Sequence, residues 1–219
     1  MFPIVGWLAH THNSLMVSNS TTRLLSTALL ALCSSSPSFA AEPPAPPAFV
    51  QRAQPGPGQA ALRPLVGKWK VEKALFIAVG SPEKPAKSTE MTTERVWIAD
   101  GRFLQDVTRG EIGGQKYFRT GFLGYNNMDR CYEWVTADAF TPIMMIYRGK
   151  TGAGPAFPAS LEGSFTDLGV TGEQNVGKRV AMRTVIRVES NDRHVFEIYF
   201  TPPGGKEVLA DRMIFTRIP

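Results

Sequence analysis

The stretch Leu62-Arg63-Pro64-Leu65-Val66-Gly67-Lys68-Trp69-Lys70-Val71 decides the fold, because a polar, proline-rich segment ends there and strand patterns begin. Its first residues place apolar side chains at near-helical spacing before Gly67. From Trp69 to Val79, apolar residues then recur at about every second position, with Lys73 as the one polar interruption. The stretch therefore predicts a short helical turn that closes one end of a barrel and runs into its first strand.

The remainder of the chain alternates apolar and polar residues in runs that end at Gly, Pro, Asn or Asp. Asp100-Gly101 is the strongest two-residue hairpin signal among these turns. Strands are expected at 68–79, 88–98, 102–110, 116–125, 130–136, 142–148, 160–166, 179–189, 193–201 and 207–218. Short turns between successive strands favour an all-β, up-and-down antiparallel barrel of about ten strands, since closure removes exposed sheet edges. This barrel domain is predicted to span residues 60–219.

Residues 1–40 are predicted to be a secretory signal peptide rather than part of the fold. Arg23 precedes the apolar run Leu24–Cys33, and Ser38-Phe39-Ala40 places small residues where a signal peptidase cuts. The run is roughly ten residues long, against about 20 for a bilayer span, so no transmembrane helix is expected after cleavage. The predicted location is therefore outside the cytoplasm, either periplasmic or secreted.

Two details of this leader stay open. The residues before Met16 do not resemble a charged signal start, so Met16 is an alternative start of translation. Lipid attachment at Cys33 would need a small residue before it, but Leu32 stands there, which argues against a lipoprotein. Cleavage after Ala40 would leave Cys131 as the single cysteine, and we expect it to be a buried small hydrophobe.

Residues 41–59 hold most of their prolines in two clusters and offer no apolar face. They are predicted to be an extended, disordered tether before the barrel.

The charge of the chain is only mildly basic. The formal net charge is +5; since residues 1–40 contain one basic residue, Arg23, and no acidic one, the mature chain carries +4. Nucleic-acid binders show a clustered basic stripe with stacking aromatics, so no nucleic-acid partner is expected. Arg179, Arg183 and Arg187 do share one face of a predicted strand, and Arg193 follows. They indicate either a solvated outer face or a surface for an anionic partner.

The motif Gly67-Lys68-Trp69 resembles the start of the first strand in the calycin superfamily of lipocalins and fatty-acid-binding proteins. The resemblance implies that Trp69 packs at the barrel base against Arg217, which Phe215-Thr216-Arg217 supplies. The order of short motifs along the whole domain also resembles the uncharacterised bacterial family DUF1579. These motifs are Leu65-Val66-Gly67-Lys68-Trp69, Asp100-Gly101-Arg102-Phe103-Leu104, Leu123-Gly124-Tyr125-Asn126, Tyr132-Glu133-Trp134 and Thr216-Arg217. That family implies a calycin-like barrel without an established activity.

Candidate ligand contacts are polar and aromatic side chains expected to face the barrel interior. Arg95 shares a strand face with Trp97, Tyr132 shares one with Trp134, and Tyr125 ends a strand. We therefore predict Trp134, Tyr132, Tyr125 and Arg95 as ligand contacts, although aromatic residues can equally fill a core.

His194 is the one histidine left after cleavage, which removes any paired-histidine metal site. It is a candidate haem ligand by the distant calycin resemblance, but a structural role is favoured for a lone histidine. No nucleophile motif accompanies it, so the sequence leans away from an enzyme. No other metal or cofactor site is indicated.

Two functions follow from these patterns. The first is an exported barrel that binds a small, mainly apolar ligand in its interior, as a monomer or weak homo-oligomer. The alternative is a structural or interaction module of the cell envelope, without ligand or catalysis, that uses the tether and the arginine face.

Overall fold

The structure is a computed structural model and describes residues 45–219. Two short helices come first, α1 (Ala48–Arg52) and α2 (Pro57–Ala60), followed by a 3₁₀ turn at Arg63–Leu65. Ten strands follow: β1 (Gly67–Leu75), β2 (Ala86–Ile98), β3 (Phe103–Ile112), β4 (Gln115–Asn126), β5 (Cys131–Asp138), β6 (Met145–Gly149), β7 (Ala159–Thr166), β8 (Arg179–Ser190), β9 (Arg193–Thr201) and β10 (Val208–Arg217). A second 3₁₀ turn, Glu173–Asn175, lies between β7 and β8. The predicted signal peptide, Cys33 and residues 41–44 lie outside the described residues.

The ten strands form one closed, antiparallel, up-and-down barrel, which confirms the predicted fold class. Each strand pairs with its neighbours in sequence, and β1 pairs with β10 to close the sheet. In the closing pair Trp69 lies opposite Arg217 and Leu75 opposite Asp211. Inward side chains alternate with outward ones along most of the sheet, and the inward apolar residues form the core inside the barrel.

Turn conformations explain where the strands end. The predicted hairpin at Asp100-Gly101 is present: Ala99, Asp100 and Gly101 all have positive φ, which reverses the chain between β2 and β3. The first strand ends at Leu75 and does not reach Val79; Ala78, in the loop that follows, adopts a φ of 57° that a strand does not contain.

Within the described part of the predicted tether the chain forms the helix α1 and most of α2, with a non-helical link at 53–56. Pro57 occupies the first position of α2, where its fixed φ favours a helix and its missing N–H costs nothing. Gly58 lies against the ring of Tyr125, so closely that a Cβ there would stand 2.0 Å from a ring carbon. Gln59 is buried and donates from Nε2 to the Tyr125 carbonyl at 2.9 Å. These contacts dock α2 on the end of β4, which sequence pattern did not reveal.

The two ends of the barrel differ. The end where β1 begins and β10 finishes, here called the base, is covered by α2 and the Arg63–Leu65 turn. The opposite end, here called the mouth, is bordered by the loops 76–85, 139–144 and 167–178. Within residues 45–219, no helix is long and apolar enough to cross a membrane.

Candidate functional site

A cavity of about 100 Å³ lies inside the barrel at the mouth, and we call it the mouth cavity. Apolar side chains form most of its lining, and polar or ionisable groups form the remainder. The apolar lining includes Leu75, Ile77, Phe140, Met145, Val170 and Phe200. The polar lining consists of Lys73, Tyr117, Arg119, Thr136, Asp138, Thr141 and Asp211. The mouth cavity thus combines apolar walls with several polar groups, as small-molecule sites do.

One buried ion pair forms part of the cavity wall. Lys73 is 2% exposed, and its Nζ bonds the Asp211 carboxylate across the closing strands β1 and β10. The Lys73 ammonium also lies 4.9 Å from the centre of the Tyr117 ring. Lys73 is the polar interruption noted in the sequence, and here it is an inward-facing cation.

A second buried ion pair lies deeper. Arg119 donates from Nη2 to the Asp106 carboxylate at 3.0 Å, and both side chains are at most 5% exposed. Burial opposes the charge on Arg119, but the nearby Asp106 carboxylate outweighs burial and raises the pKa of the guanidinium. Arg95 lies opposite Asp106 in the β2–β3 register, and burial lowers the pKa of its guanidinium to about 10. Arginine therefore stays charged at neutral pH at both positions.

We call these five side chains, Lys73, Arg95, Asp106, Arg119 and Asp211, the interior charge cluster. Several of their atoms are buried without a hydrogen-bond partner among the described residues: Arg95 Nη2, Asp106 Oδ1, Arg119 Nε and Asp211 Oδ1. Thr141 Oγ1, on the cavity wall, is also buried without a hydrogen-bond partner among the described residues. Unmet buried polar groups are rare in native proteins, so these atoms are candidates for contact with ordered water, an ion or a ligand.

Two tyrosines near the cavity are neutral. Burial raises the pKa of Tyr117, which faces the cavity, and of Tyr147, which stacks on Trp134 with ring centres 5.1 Å apart. Each hydroxyl therefore acts as a neutral donor or acceptor at ordinary pH.

Two carboxylates shape the loops at the mouth. Asp138 Oδ1 accepts from the backbone N–H groups of Phe140 and Thr141 at 2.8 and 3.1 Å. Asp167 accepts from the N–H groups of Gly169, Val170 and Thr171 and from the Thr171 hydroxyl. These bonds hold Phe140 and Val170 where they border the cavity.

The four predicted ligand contacts do not come together, and none of them lines the mouth cavity. Tyr125 and Tyr132 meet at the base, with ring centres 5.2 Å apart. Trp134 lies in the middle of the barrel, under the Arg119 guanidinium at 5.3 Å. Arg95 is enclosed by Phe196, Phe215 and His194. Contact of these four residues with a ligand stays a prediction.

His194 does not offer a haem site. Its Nε2 is 2.7 Å from Arg95 Nη1, its ring stacks on Phe215 at 4.4 Å, and Trp69 meets it edge-on at 4.2 Å. Burial and the charges of Arg95 and Arg217 lower the pKa of the imidazole, so it is neutral. A haem plane would have to displace these partners, and the residues present do not fit the group. Within residues 45–219, no cluster of three His, Cys, Asp or Glu side chains is placed to hold a metal ion.

Three of the four arginines of the predicted arginine face are paired with acidic side chains. Its ion pairs are Arg183 with Glu207, Arg187 with Glu197 and Arg193 with Glu189. Arg179 donates to the Ser164 hydroxyl instead. Arg187 shares Glu197 with Arg212, and Arg179 has no acidic partner among the described residues, so the positive charge of this face is reduced but not removed.

Trp69 and Arg217 lie together at the base. The guanidinium carbon of Arg217 is 4.2 Å from the centre of the Trp69 ring, and Trp69 Nε1 donates to the Leu65 carbonyl at 3.0 Å.

The free Cys131 is buried, and burial raises the pKa of its thiol.

The chain is similar to one protein family and, at low sequence identity, to solved structures. The family model described as "Protein of unknown function (DUF1579)" matches residues 54–217. No curated protein matches the chain. Among solved structures, the S-type phycobiliprotein lyase CPES from Guillardia theta aligns with a TM-score of 0.44 and 11% identity, covering 80% of this chain and 99% of the other. EF1p2_mFAP2b bound to DFHBI aligns with a TM-score of 0.38 and 9% identity, covering 73% of this chain and 98% of the other.

Proposed function

This chain belongs to DUF1579, a family of proteins of unknown function, and we propose that it binds a small, mainly apolar molecule through the mouth cavity. The observation that carries the proposal is the contrast between the two ends of the barrel. The base is filled by the buried side chains of Leu62, Leu65, Trp69 and Phe215, whereas the mouth keeps about 100 Å³ unfilled. Interiors are normally packed without such voids, so a retained cavity with convergent polar groups favours a binding site.

The size of the cavity limits how much of a ligand it can enclose. A cavity of about 150 Å³ lined by apolar residues holds one benzene ring. The mouth cavity is smaller, so it would enclose one end of a ligand while the remainder lies between the loops of the mouth. Phe140, Met145 and Val170 supply apolar contacts there.

Ligand contact at Trp134 would require a ligand that passes Thr136, which lies nearer the mouth on the inward face of β5.

Export stays a prediction from residues 1–40, and it would place the cavity outside the cytoplasm. Fractionation of cells that express the whole chain, with N-terminal sequencing of the mature protein, tests it.

The binding proposal is tested with N-phenyl-1-naphthylamine, an uncharged apolar dye that fluoresces when it leaves water. Thr141 borders the mouth cavity and is half-buried in a loop, so Thr141→Trp fills the entrance without disturbing a strand. We expect saturable dye binding to the unmodified protein and an affinity about tenfold weaker in Thr141→Trp, because the indole would occupy space at the entrance that the dye needs.

The matched control is Thr92→Trp, which adds the same side chain on the exposed outer face of β2. Its affinity for the dye should equal that of the unmodified protein. Absence of saturable binding to the unmodified protein, or equal weakening in the two variants, would contradict a site at the mouth.

A further inference from the structure

The outer surface of β2–β6 carries a row of uncharged side chains. The strand registers place one outward residue of each of these five strands side by side. The row consists of Val96, Gln105, Phe122, Val135 and Ile146. All of them except Gln105 are apolar, so the middle of this surface is mainly apolar over five neighbouring strands, roughly 20 Å.

Apolar residues extend this row toward both ends of the barrel. On the side of the base, the ring of Phe103 covers Gly124, where a Cβ would stand 2.5 Å from a ring carbon. On the side of the mouth, Phe118 lies four residues before Phe122 on the same side of β4. Met144 borders a groove on the outer side of the sheet together with Ile146. We call this surface the outer apolar face; its exposed members are Val96, Phe103, Phe118, Phe122, Met144 and Ile146.

The exposed area of the outer apolar face matches what one partner contributes to a dimer. Four of its members are between 37% and 44% exposed, and Ile146 and Met144 are 64% and 71% exposed. Together they expose the equivalent of about three whole side chains, or roughly 500–600 Å². A standard interface takes about 800 Å² from each partner, and in homodimers about 65% of that area, roughly 500 Å², is apolar.

The charges around the outer apolar face favour a second copy of the chain over a charged partner. Acidic and basic residues border the face in equal numbers. They are Glu94, Glu111, Asp129 and Glu133, and Arg109, Lys116, Arg130 and Arg148. A surface without net charge does not attract an anionic membrane or a nucleic acid, and it can meet its own copy without repulsion.

The outer surface on the other side of the barrel has a different character. There Arg183 pairs with Glu207, and Arg187 and Arg212 both pair with Glu197. An interface on that side would have to remove these charged groups from water, which is costly. The outer apolar face can be covered without that cost.

We propose that the outer apolar face joins two copies of this chain in a two-fold symmetric dimer, with Phe122 near the centre of the interface. In such a dimer each copy contributes the same surface, so the interface needs a surface that is complementary to itself. Phe122 lies on β4, the third of the five strands, in the middle row of the face. None of the exposed members of the face lines the mouth cavity, so this inference does not depend on the proposed function.

Sedimentation velocity tests the proposal on protein purified from cells that express the whole chain. We expect a dimer with a dissociation constant in the micromolar range or below, because interfaces of about 1,600 Å² in total span micromolar to picomolar affinities. Phe122→Glu would bring two like charges into the centre of the interface. It should weaken the dimer by at least about 30-fold, the loss typical of a central interface residue.

Val176→Glu is the matched control, because Val176 is 51% exposed in the loop between β7 and β8, outside the outer apolar face. It should leave the dissociation constant unchanged. Circular dichroism checks that each variant is folded, and if Phe122→Glu does not fold, Ile146→Glu makes the same test at a more exposed position of the row.

Two results would overturn the proposal directly. One is a protein that stays monomeric up to about 100 μM, and the other is a dimer that a folded Phe122→Glu or Ile146→Glu variant leaves equally strong. Phosphatidylcholine vesicles provide the remaining comparison. Binding of a monomeric protein to them that is lost in Phe122→Glu would assign the outer apolar face to a lipid surface and not to a second copy.

Discussion

The conformation of Gly67 explains why a glycine stands before Lys68 and Trp69 in the first motif of the chain. Its φ is +121°, a conformation that other residues rarely adopt, and a Cβ there would stand 2.6 Å from Arg217 Nη1. The glycine thus lets the last strand's arginine reach over the first strand. Arg217 then donates to the carbonyls of Pro64, Val66 and Asn191 while it covers the Trp69 ring.

Replacing Arg217 with methionine tests the structural role predicted for it. Arg217→Met keeps a long apolar side chain but removes the hydrogen bonds to three carbonyls and the cation over the indole. We expect the free energy of unfolding to fall by about 3 kcal/mol, measured by urea unfolding at neutral pH. Arg193→Met is the control: its side chain is about half exposed in an ion pair with Glu189, so its loss should cost less than about 1 kcal/mol. Equal losses would show that the base contact is not structural.

The interior charges show what the sequence could and could not reveal at this scale. Lys73 interrupts an apolar alternation and was visible as an exception. Asp106 and Arg119 also stand at inward positions of regular strands, where alternation could have identified them. Asp211 could not be found in this way, because a bulge between Leu209 and Asp211 turns two consecutive residues inward.

At the scale of elements, the 167–178 loop depends on one carboxylate. Burial alone would raise the pKa of Asp167, but hydrogen bonds from Thr171, Gly169 and Val170 outweigh burial and hold that pKa below its ordinary value. A carboxyl group with a lowered pKa in the folded state stabilises the fold at pH values above its unfolded pKa, about 3.9. That stabilisation is lost as the pH falls through the lower, folded pKa.

We therefore expect Asp167→Asn to be less stable than the unmodified protein by about 2 kcal/mol at pH values near 6. The difference should shrink as the pH falls below about 4, because the unmodified carboxylate becomes protonated while the amide never titrates. Urea unfolding at a series of pH values measures both curves. Asp100→Asn is the control, since the Asp100 side chain is 97% exposed, and its curve should follow that of the unmodified protein. A difference at Asp167 that does not change with pH would contradict this account.

The strands could be predicted from the sequence, whereas the helix α2 and the mouth cavity could not. All ten strands come close to the expected ranges, since inward and outward residues alternate in one-dimensional sequence as they do in the barrel. The helix α2 was missed because it has no apolar stripe of its own. Contact with Tyr125, which is 66 residues after Gln59 in the chain, holds it in place. The mouth cavity was not predictable either, because pattern shows which side chains face inward but not whether they fill the space.

At the scale of the whole molecule, the barrel is packed at one end and hollow at the other, and this asymmetry predicts opposite effects of two phenylalanine substitutions. Phe215 is fully buried at the base, between His194 and Arg95. Phe140 lies at the mouth, where it touches Tyr117 and borders the cavity. Phe215→Ala should lower the free energy of unfolding by about 4 kcal/mol, whereas Phe140→Ala should lower it by only about 1 kcal/mol, because fewer contacts are lost next to a void.

The loss of affinity for the dye should be larger in Phe140→Ala than in Phe215→Ala, the reverse of the order for stability. This comparison distinguishes a mouth that binds a ligand from a mouth that is only less tightly packed. Phe140→Ala removes an apolar wall of the mouth cavity and should weaken binding of N-phenyl-1-naphthylamine by about tenfold. Phe215→Ala, tested at a temperature where the variant is folded, should leave the affinity for the dye unchanged, because Phe215 does not line that cavity. If Phe140→Ala instead cost as much stability as Phe215→Ala and left dye binding intact, the mouth would be an ordinary packed core. The reason is that a side chain packed in a core contributes mainly to stability, whereas a side chain beside an open cavity contributes mainly to contact with a ligand.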